Sequence, residues 1–270
     1  MNTIDHKNLP EILFEANQIA QSAGLKILEI YETDFSVVKK DDNSPLTLAD
    51  TEAHKIICES LSKLTPSIPI LSEESSYIDF SERSCWSQYW LVDPLDGTRE
   101  FIKKNGEFTV NIALVDGNKP ILGVVYVPVS ETSYIATINY GAHKSVKEND
   151  LKKISVRKAD INNITVAGSR SHGNDKQKTF ISNIKNADIL SIGSSQKFCL
   201  IAEGRADVYP RFGPTSEWDT AAAQCIVEES GGCVVDENFK PIQYNTKDSL
   251  INPSFLVIAD LTFNWQQYIN

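Results

Sequence analysis

The chain is short of basic residues, of long apolar runs and of paired cysteines, and each shortage excludes something. Of its 270 residues, 26 are Lys or Arg and 36 are Asp or Glu, a formal net charge of −10. General nucleic-acid binders present basic patches to the phosphate backbone, so this balance argues against a nucleic-acid partner. It still accommodates a small anionic ligand, because a bound cation inverts the local field. No apolar stretch approaches the roughly 20 residues that span a bilayer, so no transmembrane segment is expected. The opening residues, Met1-Asn2-Thr3-Ile4-Asp5-His6-Lys7, lack the basic-then-apolar order of a signal peptide. These readings predict a cytoplasmic protein, with peripheral attachment to the inner membrane and the oligomeric state left open. The five cysteines (Cys58, Cys85, Cys199, Cys225 and Cys233) form no Cys-x-x-Cys pair. Zinc and thioredoxin-like readings therefore fail, and reduced, mostly buried small side chains remain. No repeat, linker or low-complexity tract is visible.

What is present is an ordinary globular composition, 41% hydrophobic and 23% charged. The length suits one large domain or two intimately packed ones. Apolar residues recur at helical spacing from about Leu9 to Tyr31, and again after Thr47-Leu48-Ala49-Asp50. Lys39 to Ser44 reads as a loop or hairpin. Strands are expected at Ile68 to Leu71, Tyr89 to Val92, Phe108 to Val115, Ile121 to Val127 and Thr132 to Ile138. Asp116-Gly117-Asn118 reads as a hairpin turn, and Ile154-Ser155-Val156 as a further candidate strand. Beyond it, strands at Thr165 to Ala167, Ile189 to Ser191, Ala206 to Tyr209, Cys233 to Asp236 and Phe255 to Ala259 alternate with helices. Those helices are Asp175 to Asn183, Ser195 to Ala202 and Trp218 to Ser230, the last capped by Gly231-Gly232. Helices layered on sheets imply an α+β or α/β sandwich. The expected division is an N-terminal α+β half, 1–160, carrying the acidic motifs, and a C-terminal α/β half, 161–270, completing the site.

The most telling stretch is Val92-Asp93-Pro94-Leu95-Asp96-Gly97-Thr98-Arg99-Glu100-Phe101. An apolar strand runs into a sharp turn carrying two carboxylates, and carboxylate oxygens suit hard cations such as Mg²⁺. The N–H groups of Gly97 and Thr98 lie where a helix begins, and helix N-termini attract phosphate. A metal-ligand pair beside a phosphate cradle points to phosphoryl hydrolysis. Glu73 and Glu74 at a strand end, and Asp50 and Asp219 at helix starts, are placed where such folds put their sites. For the last two, a plain N-cap role is the bland alternative. Crowded carboxylates repel one another, and a metal offsets that repulsion. Asp-x-x-Asp spacing argues against the haloacid dehalogenase type, which needs Asp-x-Asp.

Asp93-Pro94-Leu95-Asp96-Gly97-Thr98 followed by Trp218-Asp219-Thr220-Ala221-Ala222 resembles the two motifs of the inositol monophosphatase superfamily. Ser72-Glu73-Glu74 and Ser44-Pro45-Leu46-Thr47-Leu48-Ala49-Asp50 match two further family segments, in the family's order. The resemblance implies a layered αβαβα sandwich and a Mg²⁺-dependent, Li⁺-sensitive phosphatase with two or three ions per site. It places Glu73, Asp93 and the carbonyl of Leu95 on one Mg²⁺, and Asp93, Asp96 and Asp219 on a second. Glu74 is assigned outside the ligand set. Thr98 and Asp50 are implied to position and deprotonate the attacking water. One departure stands out: Ala223 occupies the place where the family usually has Gly, and tolerance with a small backbone shift is expected.

Other segments resemble the 3'(2'),5'-bisphosphate nucleotidase branch. They are Arg99 to Lys103 with Asn105 to Leu114, Gly168-Ser169-Arg170-Ser171-His172, Gly193-Ser194-Ser195-Gln196-Lys197, and Tyr209-Pro210-Arg211. The resemblance implies substrate contacts from Gly97, Thr98, His172, Ser194, Lys197 and Arg211. Without these motifs, Lys197 and Arg211 would read as solvated surface charges and His172 as unremarkable. A two-phosphate nucleotide needs cations for the phosphate that is not cleaved, and Arg binds phosphate bidentately. The expected partner is thus a small nucleotide. The expected reaction removes the 3'-phosphate of adenosine 3',5'-bisphosphate to give AMP, with the sulfated analogue as a second substrate. The competing readings are an inositol or sugar phosphatase with the same metal site, and a catalytically silent nucleotide-binding protein. The retained pair Asp50 and Thr98 argues against the silent protein.

Overall fold

The computed structural model describes residues 3–33, 37–39, 45–75, 77–147, 149–168 and 174–269. Helix α1 (Leu9–Tyr31) buries Leu9, Leu13, Ala16, Ala20, Ala23 and Ile27, one stripe at 3.6-residue spacing. After the antiparallel pair β1 (Val37–Lys39) and β2 (Pro45–Thr47), helix α2 (Leu48–Leu64) buries Ala49, Ala53, Ile57 and Leu61 on a matching stripe. Residues 40–44, in the expected loop or hairpin, lie outside the described residues.

A seven-stranded sheet follows in sequence order: β3 (Ile70–Ser72), β4 (Gln88–Asp96), β5 (Thr109–Asp116), β6 (Lys119–Val127), β7 (Thr132–Thr137), β8 (Gly141–Val146) and β9 (Lys152–Lys153). The β3–β4 pair is parallel and the others antiparallel. Helix α3 (Phe80–Arg83) lies in the crossover into β4, and α4 (Thr98–Ile102) follows it. Side chains alternate across the sheet with period two. Trp90, Val92, Val110, Ile112 and Leu114 join the core under α1 and α2, whereas Tyr89, Leu91, Ala113 and Val115 join the core on the other face.

A five-stranded sheet is built from β10 (Thr165–Gly168), β11 (Asp188–Ser191), β12 (Val208–Arg211), β13 (Cys233–Asp236) and β14 (Phe255–Ile258), in the order β11-β10-β12-β14-β13. Its connecting helices are α5 (Asp175–Asn183), α6 (Gln196–Ala202) and α7 (Ala221–Glu229). Apolar residues of α6 and α7 share one core with both sheets, while α5 and Trp265 cover the outer face of the second sheet. Three cores in series make the expected αβαβα layering. Among the described residues, no helix is long and apolar enough to cross a membrane.

Three local expectations are revised, and one strand, β8, was not expected. Ile154 to Val156 is not a strand: Ile154 N–H still reaches Ala142 O at 2.9 Å, but Val156 N–H turns to Ser230 O at 3.0 Å, leaving the sheet. Strand β8 had no sequence signal, because its half-buried residues Gly-Ala-His-Lys-Ser-Val show no apolar alternation. The helix expected from Trp218 is split, a 3₁₀ turn at Glu217–Asp219 preceding α7. Helix α6 starts at Gln196, one residue later than expected. The glycine that lets α7 approach the sheet lies in the sheet itself: a Cβ on Gly123 would sit 2.1 Å from Ala222 O. Ala223, in turn, is buried without any glycine needed at its own position.

Candidate active site

The acidic turn grows out of β4. Asp93 pairs across the ladder with Asn111, and the register then shifts before Asp96 meets Thr109. Pro94 has no N–H to offer the ladder, and the turn closes instead through Leu95 N–H, which donates to Asp93 Oδ1 at 3.0 Å. Gly97 adopts a left-handed φ of 97°, and a Cβ there would approach Glu107 O at 3.1 Å, so glycine is required. Because β3 runs parallel beside β4, Glu73 N–H donates to Val92 O at 3.0 Å. Glu73 is thereby placed next to Asp93.

The two acids at helix starts cap their turns without being N-caps. Asp50 is the N3 member of a capping box: its Oδ2 accepts from Thr47 N–H at 2.8 Å and Thr47 O–H at 2.6 Å. Asp219 repeats the device, accepting from Ser216 N–H at 2.8 Å. In Asp50 the box occupies Oδ2 alone, and Oδ1 accepts the Thr98 hydroxyl at 3.3 Å. Both acids thus cap as N3 members of capping boxes rather than as N-caps, and Asp50 caps with one oxygen while its other faces the site.

Ligand atoms of Glu73, Asp93 and Asp219 lie within 4.8 Å of one another. Burial, then the charges of Glu73, Asp96 and Asp219, push the Asp93 carboxyl well above the usual carboxylate range. Asp219 is raised for the same reasons: burial first, then Asp96 and Glu73. Such a set of hard oxygen donors, strained by mutual repulsion, fits a divalent cation such as Mg²⁺. Asp96 and Leu95 share the same cavity wall, and Asp50 lies behind Thr98. Glu74 lies outside the three-acid cluster.

The cavity, about 350 Å³, extends from the acids to Ser194, Lys197, Tyr209 and Arg211. Lys197 is 7% exposed, and its ammonium donates to Ser194 O at 2.6 Å above the Tyr209 ring. Burial lowers its pKa to about 8, with Arg211 adding to the shift and Asp96, Glu100 and Glu107 opposing it. Arg211 donates to Pro214 O at 3.0 Å, and its Nε is buried without a hydrogen-bond partner among the described residues. Gly97 and Thr98 line the acidic end. His172 lies outside the described residues. Sequence reasoning missed Ser195, whose N–H and hydroxyl both reach Asp96, and Asn111, whose amide donates to that hydroxyl at 2.8 Å. Nothing but the adjacency of Ser195 to Ser194 could have flagged the first, and Asn111 reads as one more strand residue.

The chain matches the inositol monophosphatase family over residues 8–265. It is 46% identical over 248 residues to the 3'(2'),5'-bisphosphate nucleotidase CysQ of Escherichia coli, covering 91% of this chain and 99% of that one. The protein of the same name from Haemophilus influenzae is 35% identical over 268 residues, covering 98% of each chain. Among solved structures, CysQ from Bacteroides thetaiotaomicron, a bacterial member of the same family, superposes with a TM-score of 0.81 at 42% identity, covering 96% of this chain and 99% of that one.

Proposed function

The chain belongs to the inositol monophosphatase family, and from that premise we propose that it is a Mg²⁺-dependent 3'(2'),5'-bisphosphate nucleotidase. Its substrate is adenosine 3',5'-bisphosphate, from which it removes the 3'-phosphate to leave AMP, and the sulfated analogue is a second substrate. The observation that carries this reading is the junction of a three-acid cluster, centred on the buried Asp93, with a cavity lined by Lys197 and Arg211. Family members are metal-dependent phosphatases. Here Glu73, Asp93 and the Leu95 carbonyl would hold one ion, and Asp93, Asp96 and Asp219 another. Bound there, the ions supply Lewis acidity, lower the pKa of water and neutralise phosphoryl charge.

The chain's own residues do the rest. Thr98 Oγ donates its proton to Asp50 Oδ1, which leaves its lone pairs free to accept from the attacking water. A proton taken from that water passes through Thr98 to Asp50, whose other oxygen stays pinned by Thr47. Lys197 and Arg211 hold the phosphate that is retained, and the Tyr209 ring lines the same wall. Phosphorus NMR of the reaction with Mg²⁺ tests the proposal. AMP and inorganic phosphate as sole products, with no turnover in EDTA, support it. A metal-loaded sample inert toward every phosphomonoester overturns it.

A further inference from the structure

Ser195 is 2% exposed at the mouth of α6, and three groups of the site converge on it. Its N–H and hydroxyl lie 2.6 and 2.7 Å from the same oxygen, Asp96 Oδ2. The hydroxyl oxygen is also 2.8 Å from the main-chain carbonyl of Asp219. From the far side Asn111, the ladder partner of Asp93, donates an amide N–H to it at 2.8 Å. A hydroxyl carries one proton, and a carboxylate is the stronger acceptor, so that proton goes to Asp96. The Asn111 amide fills a lone pair and fixes the rotor.

The turn around Ser195 is held on both sides. A Cβ on Gly193 would meet Glu107 O at 2.7 Å, and Gly193 N–H donates to Glu107 Oε2 at 2.9 Å. Ser194 takes a left-handed φ of 51°, and Lys197 grips its carbonyl at 2.6 Å. Two donors from one rigid turn therefore engage Oδ2 and leave Oδ1 as the Asp96 oxygen available to a cation. Asp96 is also the acid that lies outside the 4.8 Å cluster of Glu73, Asp93 and Asp219, so its orientation is set by Ser195 rather than by those acids.

We propose that Ser195 is a positioning residue that presents Asp96 in one orientation and thereby sets the affinity for the cation that Asp96 and Asp219 share. The proposal rests on the metal-centre reading above. Partners one shell outside a metal ligand typically change affinity by about 10- to 100-fold when removed, and Ser195→Ala is expected to fall in that range.

The test is a titration of the substrate-free protein with Mn²⁺, reading the free ion by electron paramagnetic resonance. Ser195→Ala should keep its circular dichroism spectrum and hold the ion shared by Asp96 and Asp219 about 10- to 100-fold more weakly. Ser195→Thr, which keeps the hydroxyl, should recover most of that loss. Asn111→Ser removes the amide aimed at the hydroxyl and should weaken binding by less, in the same direction; it carries the test if Ser195→Ala does not fold. In the active enzyme the Mg²⁺ concentration for half-maximal rate should rise while the nucleotide KM holds. Wild-type Mn²⁺ affinity in a folded Ser195→Ala or Asn111→Ser overturns the proposal. A wild-type chain that binds Mn²⁺ but cleaves no phosphomonoester overturns the nucleotidase reading alone, and the same titration still decides the role of Ser195.

Discussion

Asp93→Asn should stabilise the metal-free protein and destabilise it relative to wild type once Mg²⁺ is present. Asp93 is 1% exposed, with carboxylate oxygens of Glu73 and Asp219 within 4.8 Å. Two unit charges at that separation repel by about 3 kcal/mol at an effective dielectric near 20. The amide keeps the acceptor that Leu95 N–H uses and removes the charge. Partial protonation already relieves part of the repulsion in wild type, so a net gain of about 2–3 kcal/mol is expected, or roughly 4–10 °C in Tm for a chain of this size.

The pH dependence has a definite sign. Folding raises the Asp93 and Asp219 pKa values, so the native state binds protons more tightly than the unfolded one. Stability from these groups is present below the unfolded value, about 4, and is lost as pH climbs toward the folded values. The advantage of Asp93→Asn in EDTA should therefore widen from about pH 5 to about pH 8. With Mg²⁺ the order should reverse, because a ligand that binds only the native wild type adds its binding free energy to stability. Calorimetry with and without EDTA across that range checks it. An Asp93→Asn protein that melts at or below wild type in EDTA near pH 8 would refute the reasoning.

Asp96→Asn should cut turnover by at least about a hundredfold with an unchanged circular dichroism spectrum; near-normal turnover would sink the metal assignment. Thr98→Val, which deletes the hydroxyl between water and Asp50, should lower kcat by about 10²–10³ and leave KM within a few-fold, as steady-state kinetics would show. Because burial lowers the Lys197 pKa to about 8, nucleotide KM should rise as pH passes that value and the ammonium is lost. Lys197→Arg, always charged, should flatten that alkaline limb, and an unchanged limb would contradict a phosphate contact by Lys197. Gly123→Ala should cost about 3 kcal/mol in denaturant unfolding, because its Cβ would lie 2.1 Å from Ala222 O and push α7 off the sheet.

The order of helices and strands was legible because the cores demand periodicity. The 3.6-residue stripe of α1 and the mostly apolar run of β5, buried on both faces, are burial written into sequence. Strand β8 was illegible for the complementary reason, being half-exposed near the sheet edge with little apolar contrast. The acids of the site were visible because carboxylates at strand ends and helix starts are chemically conspicuous, and a family resemblance gave them roles. Their division of labour was not visible. The capping boxes that take an oxygen of Asp50 and of Asp219 join residues only three apart, Thr47 with Asp50 and Ser216 with Asp219; that Ser195 rather than Ser194 holds Asp96 depends instead on hydrogen bonds between segments about a hundred residues apart. No local pattern encodes such a contact. The split of the Trp218 helix follows from the same device, since the Ser216 box closes a 3₁₀ turn before α7 begins.

The most direct measurement is kcat/KM for adenosine 3',5'-bisphosphate and for inositol 1-phosphate, side by side in Mg²⁺. A cavity with two cations beyond the acid cluster predicts a preference for the nucleotide of at least about a hundredfold, the contribution of two charge-assisted contacts to a second phosphate. Equal rates, or a preference for inositol 1-phosphate, would keep the metal centre and contradict the nucleotide pocket built from Lys197 and Arg211.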